Sequence, residues 1–265
     1  MKLRKIFKNR FSKPKTSLFI CIILRILTVI SLFIEFRSGN IKNGVLCIVV
    51  LIIFTLPSIL YKSFGLVLPD AMETAIYVFI FSSAILGEIN NFYGLLPFWD
   101  TVLHVLSGFV LAGVGFSLAR LMNGRKQKLR MSALYIALTG ICFSLTAGLL
   151  WEFFEFTCDN WLRTDMQKDK VIKNISSVEL NGKNENEPLK IDDITRTEIY
   201  FKNGERYTVE GGYLDTGLND TMKDLSVNFI GAVIFCTAGF YHMKNRGKYE
   251  FVNCFIPVKK EEYCQ

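Results

Sequence analysis

Three stretches of this chain carry side chains whose types and spacing suit chemistry. In FWDTVLHVLSG, Asp100, His104 and Ser107 recur at i, i+4 and i+7, so on a helix they share one face. In LLWEFFEFTCD, Glu152, Glu155 and Asp159 stand three and then four positions apart, and again share a face. In DTMKDLSVNFIGA, Asp220, Asp224 and Asn228 recur at i, i+4 and i+8. Carboxylates crowded at one site push one another's pKa upward unless protons, a cation or a basic partner intervene. No Lys or Arg falls on these three faces, since Lys223 lies off the Asp220–Asp224 line. The expectation is a bound cation or a proton relay. His104, Glu152, Glu155, Asp159, Asp224 and Asn228 are the expected metal ligands. Asp100 and His104 are the expected catalytic pair, with Asp100 orienting the imidazole or acting as a base.

Oxygen donors with one imidazole suit Mg²⁺, Mn²⁺ or Ca²⁺ better than zinc or iron. No H-E-x-x-H, paired Glu-x-x-His, P-loop or EF-hand loop is present. Taken singly, these acids have plainer explanations. Glu35, Glu88 and Asp159 fit wet helix ends, and Asp100 and Asp220 fit helix N-termini. Their common depth on facing stripes points to a site. Gly140, Gly148, Gly231 and Ala232 continue the same stripes, and small residues let helices approach closely in lipid.

The elements that must position these residues are apolar blocks. The chain has 265 residues, 51% of them hydrophobic. Six blocks, at about 16–36, 44–61, 71–90, 100–122, 131–157 and 221–243, are each long enough to cross about 30 Å of hydrocarbon. The reading is an all-α polytopic membrane protein with six transmembrane helices and a small β-rich extracytoplasmic insert. In outline, residues 1–15 form a basic cytoplasmic N-terminus and 16–157 hold spans one to five. Residues 158–219 form the insert, 220–243 the sixth span and 244–265 a cytoplasmic tail.

Seven of the first fifteen residues are Lys or Arg, and Arg125, Lys126, Lys128 and Arg130 join spans four and five. Lys244, Arg246 and Lys248 follow the sixth span. By the positive-inside rule both termini are cytoplasmic, and Trp99, Trp151 and Trp161 fall at the opposite boundary as an aromatic belt. These basic segments read as contacts to anionic lipid in a bilayer, not as a nucleic-acid site, since no recognition module accompanies them. Arg25, inside the first span, is expected to snorkel or to pair with Glu73, and His242 to sit at the interface. The seven Cys show no disulfide or zinc spacing.

Within the insert, TEIYFKNGERYTVEGG alternates apolar and polar residues around Asn203-Gly204, a strong hairpin signal. VIKNISSVEL adds a further strand.

The motifs W-D-x-x-x-H-x-x-S-G (Trp99 to Gly108), W-E-x-x-E-x-x-x-D (Trp151 to Asp159) and D-T-x-x-D-x-x-x-N-x-x-G (Asp220 to Gly231) resemble the YjdF-like integral membrane family. The resemblance covers roughly residues 15–245. It implies a multi-pass protein of the bacterial plasma membrane and supplies no activity or ligand. Three functions therefore stay open. One is a metal-dependent enzyme acting on an outer-leaflet lipid or envelope substrate. The others are a cation or proton transporter, and a non-catalytic membrane or envelope component. A transporter needs polar residues through both halves of its spans, and inward of Asn228 the sixth span reads FIGAVIFCTAGF.

Overall fold

The computed structural model describes residues 16–122, 131–182, 186–245 and 250–259. The basic segments that set the expected orientation, residues 1–15, Arg125, Lys126, Lys128, Arg130, Arg246 and Lys248, lie outside the described residues, as does Cys264. The fold is mostly helical. Six helical stretches are long and apolar enough to cross a membrane: Thr16–Arg37, Ile41–Ser63, Asp70–Ile89, Trp99–Met122, Ala133–Leu162 and Leu218–Lys244. The chain divides into two compact units, residues 1–148 with 225–265, and residues 149–224.

In the first unit, α1 (Thr16–Arg37) is one unbroken helix. The second stretch is broken into α2 (Ile41–Ile53) and α3 (Leu56–Phe64). Pro57 sits in the first turn of α3, where its missing N–H does no harm, but it cannot continue α2. Arg25 Nη2 donates to Phe54 O at this break (3.0 Å). The guanidinium of the first span thus caps a helix break within the bundle. Glu73, its expected partner, instead accepts from Ser17 Oγ (2.9 Å) and Tyr77 Oη (3.4 Å).

The third stretch, α4 (Asp70–Phe81), widens into a π-helical turn, Ser82–Ile89. A π turn leaves carbonyls off the regular ladder, and Ser82 O accepts from Trp99 Nε1 at 3.2 Å. Trp99 also packs edge-on against Phe92 of the single turn α5 (Phe92–Leu95), at 5.0 Å between ring centres. The start of α6 (Trp99–Met122) is thereby pinned from two sides. Trp99 is a positioning residue for Asp100 as well as an amphipathic ring near a helix end.

The main core gathers Ala112, Phe116 and Ala119 of α6, Ile136 and Ala137 of α7 (Ala133–Leu162), and Ala232, Phe235 and Cys236 of α8 (Leu218–Lys244). Backbone approach between α6 and α8 is very close. A Cβ on Gly108 would stand 2.1 Å from Asn228 O, and one on Gly231 would stand 2.1 Å from Val105 O. Only glycine fits at either place, as in small-residue helix contacts generally.

Val252 and Ile256 complete this core from beyond α8. Residues Glu250–Phe255 form a 3₁₀ turn, and β8 (Val258–Lys259) pairs antiparallel with β1 (Leu66–Val67). Phe255 meets Phe109 edge-on at 5.1 Å, Phe109 meets Phe235 at 5.0 Å, and Phe235 meets Phe116 at 5.9 Å. Residues 250–259, within the expected cytoplasmic tail, pack on the first unit. His242, expected at an interface, is buried at 3% exposure.

The second unit holds the last turns of α7, three small antiparallel ladders and the first turns of α8. The ladders pair β2 (Lys170–Ile172) with β7 (Tyr213–Asp215), β3 (Ile175–Ser177) with β4 (Leu189–Ile191), and β5 (Arg196–Tyr200) with β6 (Arg206–Glu210). The β5–β6 hairpin turns at Asn203-Gly204 as the alternation predicts, with Gly204 at φ +87°. VIKNISSVEL provides two strands, not one, because β2 and β3 each find a different partner.

Two-stranded ladders are marginal in water, and this unit is tied instead to its helix ends. Asp159 of α7 accepts from Thr164 Oγ1 (2.6 Å), Met166 N (2.7 Å) and Gln167 N (2.8 Å). Asp220 of α8 accepts from Lys170 Nζ (2.6 Å) and Lys168 N (3.0 Å). Asp215 Oδ2 accepts from Asn219 N (2.8 Å), satisfying one of the free donors at the start of α8. Asp159→Ala is expected to cost about 1.5–3 kcal/mol, the worth of hydrogen bonds to a charged group. Limited proteolysis checks it: cleavage within residues 163–168 should accelerate while the helical core stays protected.

Candidate functional site

Asp100 opens α6 and His104 follows one turn later, with His104 Nε2 at 3.4 Å from Asp100 Oδ1. Both are partly exposed, at 25% and 15% for their side chains. One turn further, Ser107 Oγ donates to His104 O (2.9 Å) and receives Asn228 Nδ2 (3.3 Å). Ser144 Oγ of α7 donates to Gly108 O (3.0 Å), with Asn228 Oδ1 as a second acceptor at 3.2 Å. Asn228 is 2% exposed, and both ends of its amide are engaged. It links α6, α7 and α8 beneath the site. The oxygen that Asn228, an expected ligand, would offer a cation faces Ser144.

That polar tie, with the Gly108 and Gly231 contacts, sets the register of α8 against α6. Gly108 lies against Asn228, so one turn earlier on each helix come His104 and Asp224. Asp224 is the last residue before the division between the two units and stands on the same unbroken helix as Asn228. Asp100, His104 and Asp224 each offer a ligand atom, and these atoms all lie within 4.8 Å of one another. Ligands held at about 2.0–2.6 Å from one ion stand up to about 5 Å apart across it. Two carboxylates and an imidazole at this spacing could hold a metal ion.

The remaining expected ligands are placed differently. Glu152 and Glu155 are buried on α7, at 3% and 8% exposure, but neither belongs to this three-residue group. Glu155 Oε1 accepts from Trp151 Nε1 (2.8 Å), so Trp151 anchors a carboxylate. Asp159, expected as a ligand, accepts from Thr164, Met166 and Gln167 and so anchors the segment that follows α7. Asp100, expected only to orient or deprotonate, stands among the potential ligands themselves. Lys223, judged to lie off the acidic stripe, brings Nζ to 3.6 Å from Asp224 Oδ1. Its four-carbon stem spans the angular offset that its helix position imposes, which spacing alone does not reveal.

A hollow of about 250 Å³ lies within residues 149–224 and is lined in part by Asp159, Asp165, Asp169 and Thr216. Asp169 is raised above the usual carboxylate range by desolvation first, then by Asp165, Asp159 and Asp215. A carboxyl harder to ionise in the folded state than in the unfolded one subtracts stability as pH rises through its ordinary value near about 4. Asp169→Asn should therefore leave stability unchanged in acid and give a small gain at neutral pH, small because an exposed charge is screened. Thermal melts across pH 3–7 check the sign.

Comparison with known proteins agrees with this architecture. No solved structure matches the chain. An uncharacterised protein of Thermotoga maritima is 28% identical over 95 residues, covering 36% of this chain and 47% of the relative. The chain thus aligns with about half the length of that curated relative. The family model described as "Predicted membrane protein (DUF2238)" matches residues 17–176, which include Asp100, His104, Glu152, Glu155 and Asp159. That match is consistent with the YjdF-like resemblance and covers the first two of its three motifs. It spans more than half of the chain, from the first helix past the fifth, and so this protein belongs to the DUF2238 family of predicted membrane proteins.

Proposed function

We propose that the protein is a membrane-embedded enzyme dependent on a divalent cation, acting on an ester or phosphoester of an outer-leaflet lipid or envelope substrate. In this reading both termini are cytoplasmic, residues 158–219 are extracytoplasmic, and the membrane is the bacterial plasma membrane. The observation that carries it is the spacing of Asp100, His104 and Asp224, whose ligand atoms lie within 4.8 Å of one another. The oxygen-rich donor set with one imidazole favours Mn²⁺, Mg²⁺ or Ca²⁺ over Zn²⁺. A cation bound there supplies Lewis acidity toward an ester or phosphoryl oxygen and acidifies its bound water. The chain's own groups prepare that site. Trp99 holds the start of α6, Ser107 and Asn228 fix the following turn, and partly exposed Asp100 and His104 face incoming substrate.

Transport of a cation or protons finds less support. Fully buried Phe116 and Phe235 fill the space between α6 and α8 beyond Asn228, joined edge-on to Phe109 and Phe255. Such packing suits a site open at one end only.

The test is metal content of the purified, detergent-solubilised protein, together with thermal shifts under Mn²⁺, Mg²⁺, Ca²⁺ and Zn²⁺. About one equivalent of retained cation, lost in His104→Gln, is expected. Hydrolysis of ester and phosphoester lipids in mixed vesicles then separates an enzyme from a non-catalytic component. No retained metal and no cation-induced shift would sink the proposal.

A further inference from the structure

We propose that Lys223 is the site's built-in competitor for the cation: its ammonium neutralises Asp224 when the site is empty and is displaced when a divalent ion enters. The inference rests on the cation site proposed above. Asp224 has a side chain only 3% exposed, and Lys223 Nζ stands 3.6 Å from its Oδ1. Burial of a carboxylate is costly unless something positive accompanies it. Asp220, the other acid of this stripe, has its own lysine, Lys170 Nζ at 2.6 Å. Each acidic step of the first turns of α8 therefore carries one ammonium, and the two pairings differ in kind. Asp220 is bound closely from β2 and also accepts a backbone N–H. Lys223 is a neighbour on the helix itself, at longer distance, with 36% of its side chain exposed.

A flexible stem and a path to solvent let that ammonium withdraw without disturbing the backbone. An ammonium cannot share Asp224 with a doubly charged ion a few ångströms away without strong repulsion. Lys223 thus sets the affinity of the site from outside the ligand set. It keeps the empty site folded and makes the cation compete for it. No proton needs to move, because the lysine leaves as it stands, charged.

The test titrates Mn²⁺ into wild type, Lys223→Met and Lys223→Arg, following binding by calorimetry and unfolding by thermal melts. Lys223→Met keeps the apolar stem and removes the charge. It should bind Mn²⁺ about 10- to 100-fold more tightly, or about 1.4–2.8 kcal/mol. It should melt lower than wild type without metal and show a larger Mn²⁺-induced rise. Lys223→Arg, which keeps the charge, should stay near wild type in both. A residue with a purely structural role would lower stability and affinity together, so the opposed signs are diagnostic. If wild type binds Mn²⁺ and Lys223→Met binds it no more tightly, the competitor role is overturned and the site stands. If wild type binds no cation, the site itself fails, and this inference with it.

Discussion

Asp224→Asn is expected to abolish cation retention, with affinity for Mn²⁺ falling at least about 100-fold, the upper range already seen when only outer-shell partners of a ligand are lost. Three features single out this residue. It is the buried member of the three-residue group, whereas Asp100 and His104 are partly exposed. It supplies the charge from α8, so without it the remaining pair comes from one turn of one helix. It is also the carboxylate that Lys223 faces. Asparagine matches its shape closely, so a lost site should not be confused with a lost fold. Without metal the variant should melt near wild type, and the cation-induced shift should vanish. Asp220→Asn is the useful contrast. It should leave cation binding intact, because Asp220 is committed to Lys170 and Lys168, while loosening residues 163–172. Cation loss in Asp220→Asn with retention in Asp224→Asn would reverse the assignment.

Gly108→Ala and Gly231→Ala should each destabilise the protein by at least about 3 kcal/mol, the upper end for inserting atoms into a packed interior. The added Cβ would meet a backbone oxygen at 2.1 Å in both cases, and backbone cannot step aside as a side-chain tip can. The helices would have to separate by an ångström or more, breaking the ties that Asn228 makes to Ser107 and Ser144. Cation affinity should fall in parallel, since the same contacts set the level of Asp224 against His104. Gly182→Ala is the control: nothing lies within 4 Å of its Cβ position, and its stability should not change. Thermal melts and detergent-resistant expression report the difference.

The helices that carry the site are legible from composition. Long apolar blocks have no alternative to the helix in lipid, because every backbone polar group must be satisfied within its own segment. The Asn203-Gly204 hairpin is legible for a local reason: Asn-Gly between alternating runs marks the turn, and Gly204 takes the positive φ that the turn needs. What escapes the sequence is whatever depends on partners distant along the chain. The carboxylate stripe of Glu152, Glu155 and Asp159 is real, but helix periodicity only says that the three share a face. It does not say that Asp159 lies within reach of the amides of Met166 and Gln167, or that Glu155 meets the Trp151 indole. Asn228 is a candidate ligand by its amide oxygen, and spacing does not reveal that its amide meets Ser107 and Ser144 on two other helices. Arg25 looked for an acid and found the Phe54 carbonyl at a helix break, twenty-nine positions away. The π turn at Ser82–Ile89 has no proline or paired glycine to announce it.

The pairing of β8 with β1, and the seating of Val252 and Ile256 in the main core, bear on how the protein is made. Chains enter the bilayer from the N-terminus onward, and folded parts generally form in that order during synthesis. Here a piece of the interior is encoded beyond the sixth span, in Val252, Ile256 and Val258–Lys259, so it leaves the ribosome only after every span has been made. Until those residues emerge, the apolar surfaces that Val252 and Ile256 cover stay without their final partners. Premature termination near residue 245 would therefore yield a product with every transmembrane segment present and the fold unfinished, a natural target for membrane quality control.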